Sequence, residues 1–252
     1  YDANNRVIPP ITAGNAWGDM EVELPTDGQY VLLLRGKGNY NDNVNYSFRI
    51  IRHDTNSTPL TLGTNSTPNT VSGSILKKGE QDVYTFTSTR GTRLYLDTIS
   101  ASAGIHATLI SPSGDRQKYF TNHRLDGSDK SLFTLEEDGA YRLVIDGDGA
   151  TTGAYSFNLL NATIAPSINL DTDVSNRLDP GKETHLYRLS TTVANQRLYL
   201  DSLVGSPNAS WALYGPSNQI IRTGTLNTDL EVTLPSINTY TLAIQSNSDS
   251  PI

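Results

Sequence analysis

Two stretches of this 252-residue chain place carboxylates where a hard cation could take them, Asp146-Gly147-Asp148-Gly149 and Asp126-Gly127-Ser128-Asp129. Calcium is satisfied by several oxygen donors on loops that can wrap it, and acid–glycine alternation supplies both the donors and the bends. The spacing is not that of an EF-hand. Asp146, Asp148, Asp126 and Asp129 are therefore the candidate ligands, with ordinary turn chemistry as the competing reading. The corresponding loops elsewhere in the chain, Gly36-Lys37-Gly38-Asn39 and Ser246-Asn247-Ser248-Asp249, lack the paired acids, so the pattern does not describe a cation site common to every repeat. No other cofactor is expected.

A sugar-binding surface would need exposed aromatic rings, and Trp17 and Trp211 are the candidates for it, with Tyr40 and Tyr119 behind them. Burial of Trp211 against a sheet is the alternative. Hydrolysis by a nucleophile needs a serine or cysteine with a positioned base, but there is no cysteine and no G-x-S-x-G elbow. The four histidines, His53, His106, His123 and His185, fall at unrelated places and are expected at the surface. Glu136-Glu137 is the one adjacent glutamate pair, and neighbours on a strand face opposite ways, so the two cannot flank one glycosidic bond. Glu21 and Glu23, alternating with Val22 and Leu24, read as the wet side of a sheet, as does Glu231. No catalysis is expected.

The net charge of −7, with 19 basic residues scattered along the chain, argues against a nucleic-acid partner, which needs clustered cations. No apolar run reaches the about 20 residues that a membrane-crossing helix requires, and membrane insertion is not expected. A hydrophobic fraction of 36% still allows a buried core, and 13 Tyr with abundant Thr, Ser, Asn and Gly favour strands and turns.

What must position any site is an internal repeat. DMEVELPTDGQYVLLLRGKG (19–38), KSLFTLEEDGAYRLVIDGDG (130–149) and DLEVTLPSINTYTLAIQSNS (229–248) share alternating apolar residues on both sides of a turn. Such period-two patterns on both sides of a turn make a strand pair with one buried face. Gly28, Gly139 and Asn238 coincide at the turn, where a positive φ is expected. GEQDVYTFTSTRGTRLYLD (79–97) matches GKETHLYRLSTTVANQRLYLD (181–201). TLISPSGDR (108–116) matches ALYGPSNQI (212–220) and YDANNRV (1–7), and NYSFRII (45–51) returns as AYSFNLL (154–160). Tyr46 and Tyr155 stand 109 positions apart, a whole domain rather than a solenoid turn.

The order of these motifs, an Asp-x-Tyr-x-Phe strand at Asp82–Phe86, a Gly-x-x-Leu strand at Gly91–Leu94, a Leu-x-x-Pro-x-Gly hairpin at Leu109–Gly114, a Gly-x-Tyr strand at Gly139–Tyr141 and a closing Tyr-x-Phe strand at Tyr155–Phe157, resembles the bacterial pre-peptidase C-terminal domain family. The third copy departs at His185, Asn218 and Asn238. The resemblance implies jelly-roll or Ig-like β-sandwiches, and a secreted accessory or structural role at the cell surface or outside the cell.

The fold class expected is all-β, in tandem antiparallel sandwiches: residues 1–52 as the second half of one module, 53–160 as a complete module and 161–252 as a module without its last strand. The segments 52–70 and 161–173 read as extended connectors, with Leu62 and Leu170 opening the next copy. Sequons at Asn45, Asn56, Asn65, Asn161 and Asn208 would accept glycans in a suitable host. The expected function is a non-catalytic structural or adhesive repeat region of a secreted bacterial fibre. Its partners would be copies of itself or further modules, and an open edge on the third copy would be closed by a strand that follows in the same chain or, alternatively, by strand complementation from a neighbouring chain. A polysaccharide-binding or accessory module of a secreted hydrolase is the alternative.

Overall fold

Alternating apolar residues in the sequence become alternating faces in the structure, a computed structural model that describes residues 1–8, 22, 24, 26–35, 45–51, 57–126, 130–179, 181–246, 248 and 250. The chain divides into two units, 1–52 and 53–252. In the larger unit nine strands make the first sandwich: β1 (Ser57–Pro59), β2 (Val71–Ile75), β3 (Gln81–Ser88), β4 (Arg93–Ala101), β5 (Ile105–Ile110), β6 (His123–Arg124), β7 (Ser131–Thr134), β8 (Gly139–Gly147) and β9 (Gly153–Asn161). One sheet runs β1-β3-β8-β5-β6 and the other β2-β9-β4-β7. The antiparallel pairs β2·β9, β3·β8, β4·β7 and β5·β6 are nested like one long hairpin rolled onto itself, which is the jelly roll. Its core is filled by the inward positions of both sheets, among them Tyr84, Leu109, Leu143, Leu96, Phe157 and Leu159.

The second sandwich repeats the roll with β10 (Ser167–Ile168), β11 (Thr184–Ser190), β12 (Gln196–Leu200), β13 (Ala209–Tyr214), β14 (Ile220–Thr225), β15 (Leu230–Leu234) and β16 (Thr239–Ser246). The sheet β10-β11-β16-β13-β14 is complete, and its partner is only β12-β15. The nested pairs β11·β16, β12·β15 and β13·β14 are present. Among the described residues, 174–178 (VSNRL), the counterpart of β2 (VSGSI), form no strand.

The repeated turns explain the repeated residues. In all three copies a four-residue hairpin closes with a left-handed residue in the same place, Asn5, Gly114 and Asn218, at φ 59, 90 and 64. Glycine or asparagine is favoured there because larger side chains meet the following carbonyl. Each copy also carries a tyrosine whose hydroxyl folds back four residues. Tyr141 Oη donates to the Glu137 carbonyl at 2.7 Å and Tyr240 Oη to the Ser236 carbonyl at 2.9 Å, and Tyr30 Oη donates to the Thr26 carbonyl. The hydroxyl fixes the turn while the buried ring anchors it. The late turn itself is less uniform than the alignment implied. Gly139 has φ 133, but Asn238 is not among the residues of positive φ. Asn238 instead exchanges backbone hydrogen bonds with Thr191, whose hydroxyl accepts its N–H at 2.9 Å.

The connectors differ from expectation. Leu60 joins β3 through its N–H to the Thr85 carbonyl and Ile168 pairs with Leu189 of β11; Leu62 also packs, partly buried, against the first core, whereas Leu170 is exposed. Segment 161–173 is not an extended spacer. Asn161 caps a 3-10 turn at Ala162–Ile164, and β10 follows directly.

In unit 1–52, Tyr1 pairs with Val31 through both backbone groups, and Leu32, Leu34, Tyr46 and Phe48 are exposed. Their equivalents Leu143, Ile145, Tyr155 and Phe157 are buried in the first sandwich.

Removing the Tyr141 or Tyr240 hydroxyl by substitution with phenylalanine keeps the ring and loses the turn hydrogen bonds. Each variant is expected to lose about 1 kcal/mol of stability, read by urea denaturation.

Candidate functional site: a joint between sandwiches and an open strand position

β4 and β9 bury residues on both faces, which a two-layer sandwich does not need. The second face is used by the neighbouring sandwich. Tyr95, Leu132 and Leu160 on the outside of one roll pack against Leu186, Ala212, Tyr214 and Ala243 on the outside of the next, with Ala162 and Ala165 of the linking turn between them. The alanines let the two sheets approach closely. Four β-layers are thus stacked through three apolar seams.

At the centre of the joint lies a carboxylate. Asp97 is 0% exposed and its Oδ1 meets Lys130 Nζ at 2.9 Å, the lysine side chain being 8% exposed. Thr184 of the second sandwich donates to the same carboxylate from its backbone N–H (2.9 Å) and its hydroxyl (2.6 Å). Asn158 Nδ2 adds a bond from β9 at 3.3 Å, and Lys130 Nζ also reaches the Lys182 carbonyl and Thr184 Oγ1. A buried carboxylate is tolerated when its lone pairs are met and its charge is matched, and here both conditions depend on residues from two sandwiches.

Other bonds surround this lock. Arg93 Nε donates to Asn218 Oδ1 (3.0 Å) and its Nη2 to the Gly215 carbonyl (2.9 Å), with burial lowering the guanidinium pKa. Asn218 Nδ2 returns to Thr134 at 2.9 Å. Tyr95 Oη donates to Gln245 Oε1 at 2.9 Å, and burial holds its phenol pKa well above the usual range. The Asn65 amide donates to the Leu186 carbonyl and accepts from its N–H, behaving as one residue of an extra strand on β11. That sequon asparagine is therefore engaged in the joint.

Among the described residues, β12 is covered less than its counterpart β4. In the first sandwich β9 lies between β2 and β4 and buries Leu94 and Leu96 completely. In the second, their counterparts Leu198 and Leu200 are only partly buried, and Tyr199, Leu203 and Val204 are exposed.

The residues singled out from the sequence fall elsewhere. Trp211 is 1% exposed, in the core of the second sandwich and against Gly224 of β14, so it is no platform for a sugar. A β-carbon at Gly224 would come within 2.8 Å of the indole ring. Trp17 and Tyr40 lie outside the described residues, as do His53, Glu21, Glu23 and Asp129. Asp146 Oδ2 accepts from Gln81 Nε2 at 3.2 Å, Asp126 faces Arg124 at 4.0 Å, and the Asp148 N–H closes onto Gly104. No group of three or more possible metal ligands occurs among the described residues. His185 is not at the surface: it is buried with Nε2 at 3.1 Å from Glu183 Oε1. Glu136 and Glu137 both reach Lys118, at 3.4 and 2.7 Å. Lys118, with the Ser113 N–H and hydroxyl, holds the Glu137 carboxyl below its ordinary pKa. Asp97 was not singled out from the sequence: it ends the repeated LYLD run, and its burial comes from the neighbouring sandwich.

No protein-family model matches the chain, and no curated protein matches it. Among solved structures it is similar to the periplasmic inhibitor of g-type lysozyme (PliG) of Aeromonas hydrophila, at 12% identity and a TM-score of 0.32, covering 43% of this chain and 99% of that one. The Salmonella Typhimurium PliG gives 16% identity and a TM-score of 0.28, covering 42% of this chain and 99% of that one. Tripeptidyl peptidase 2 gives 11% and 0.22, covering 75% of this chain and 22% of that one. Likeness at this level carries no argument about activity or partner. Among the described residues, no helix is long and apolar enough to cross a membrane.

Asp97→Ala leaves the Lys130 ammonium buried without its counter-charge and is expected to lower stability by about 3–5 kcal/mol in chemical denaturation. Adding Lys130→Met should recover most of that loss, because the stranded charge goes with it.

Proposed function

We propose that this chain is a non-catalytic structural segment, in which sandwiches are joined at a defined angle to act as a stiff spacer in a secreted bacterial surface or fibre protein. The observation that carries the reading is the joint: a dry apolar seam with a buried Asp97–Lys130 pair completed by Thr184 of the neighbouring sandwich. A flexible string of modules has no use for a charge whose solvation depends on one inter-module geometry, whereas a spacer that transmits length or force does. The likeness to pre-peptidase C-terminal domains supports the same reading, since tandem modules of that kind occur in large exported bacterial proteins.

The test is the distance distribution across the joint. Because the chain has no cysteine, Arg90→Cys and Val204→Cys place two dyes on opposite sandwiches at exposed positions. Single-molecule energy transfer is expected to show one narrow distance that broadens on adding Asp97→Ala. A broad distribution in the otherwise unaltered chain would overturn the proposal.

A further inference from the structure

The Asp97–Lys130 pair holds an amine against a carboxyl group in a sealed apolar seam, the arrangement from which an amide forms. Resting on the joint described above, we propose that Lys130 and Asp97 condense into an isopeptide bond that ties the start of β7 to β4.

The pairing of β4 with β7 reaches Leu96↔Ser131, and the next position along each strand is Asp97 and Lys130. Nζ lies 2.9 Å from Oδ1, with the carboxyl carbon one bond beyond. Holding an amine and an acyl carbon in contact turns an encounter into a single internal step. Burial sets the direction of the reaction as well. The ion pair is charged and the amide is neutral, so an apolar seam favours the amide and the release of water.

The donors around the carboxylate divide its two oxygens between two tasks. Oδ2 accepts from the Thr184 N–H at 2.9 Å and from Asn158 Nδ2 at 3.3 Å. These donors are aimed at the oxygen that carries the negative charge of a tetrahedral intermediate. Oδ1 accepts from the Thr184 hydroxyl at 2.6 Å, and that hydroxyl accepts from Lys130 Nζ at 3.1 Å. Amine, hydroxyl and leaving oxygen therefore form a closed triangle. Lys130 Nζ first passes a proton to Oδ1, giving a neutral amine and a neutral acid. The Nζ lone pair then attacks Cγ, and the charge moves to Oδ2. A second proton travels from Nζ through the Thr184 hydroxyl to Oδ1, the Cγ–Oδ1 bond breaks and water leaves. Of the three ammonium protons, one stays on the amide nitrogen and two leave in the water; nothing is oxidised or reduced.

The second sandwich lacks the reactants. Its equivalents of Asp97 and Lys130 are Asp201 and Asp229, two acids with no amine between them. Because Thr184 belongs to the second sandwich, the bond forms in the first only after the two have docked. The ion pair is thus the state in which the chain folds, and the loss of stability expected of Asp97→Ala belongs to that state.

Intact mass tests the proposal. The full chain, purified and incubated at neutral pH, should be lighter than its sequence by one water when weighed under denaturing conditions. Trypsin does not cut after an acylated lysine, so its digest should contain one branched peptide in which residues 94–116 are joined to residues 125–142. Lys130→Arg keeps the positive charge, removes the amine nucleophile and should retain its full mass. An unaltered chain that keeps its full mass would overturn the proposal. So would a loss of water that persists in Lys130→Arg, because Asp-Gly pairs in the turns can lose water by closing to succinimides. Full mass together with one narrow distance across the joint would sink the bond and leave the spacer standing.

Discussion

The Asp97 carboxylate is the point on which the larger unit turns. In a single sandwich its position, one residue past the LYL core of β4, would face water. Here a neighbouring roll covers it completely, and the loss of hydration is offset by Lys130 on one side and the Thr184 backbone and hydroxyl on the other. Such an arrangement has one good geometry. Translating or tilting the second sandwich would strand an ion in an apolar seam, so the electrostatic penalty of misalignment reinforces the packing of Tyr95, Leu160, Ala212 and Ala243. The joint gains specificity from its polar centre and stability from its apolar surround.

This constraint reaches back into each roll. β11, β13 and β16 must serve the core of their own sandwich with Tyr187, Trp211 and Tyr240, and the joint with Leu186, Ala212 and Ala243. Strict alternation divides the work between two faces, and a slip of one residue in register would exchange them. Trp211 illustrates the tightness: it fits because Gly224 directly across the sheet has no side chain. The tyrosine turns at Tyr141 and Tyr240 hold the strands that carry these residues in register.

The two rolls also differ in how their small sheets are covered. In the first, β4 lies between β9 and β7, and Leu94 and Leu96 are fully buried. In the second, the described residues set a five-stranded sheet over the pair β12-β15, and Leu198 and Leu200 are only partly buried. The same Leu-x-Leu pattern is buried to the extent that neighbouring strands flank it.

Alternation and repetition were legible without coordinates: the all-β class, the strands on either side of the late turn and the Asn5/Gly114/Asn218 hairpin; that β7 and β8 join different sheets instead of pairing with each other was not. The legible features depend on local periodicity and turn chemistry, which the chain carries residue by residue. The sequence was silent or misleading wherever a second element decides the environment. His185 reads as a surface residue, and Trp211 as either exposed or buried, because nothing local reveals the sheet that covers them. Segment 161–173 reads as a linker because polar, Pro-containing composition cannot show that Ala162 and Ala165 are pressed between two sheets. Asp97 and Asp201 lie in the same LYLD motif, yet one is sealed in a joint and the other is exposed. Burial is a property of what packs on a face, and only the tertiary structure supplies that.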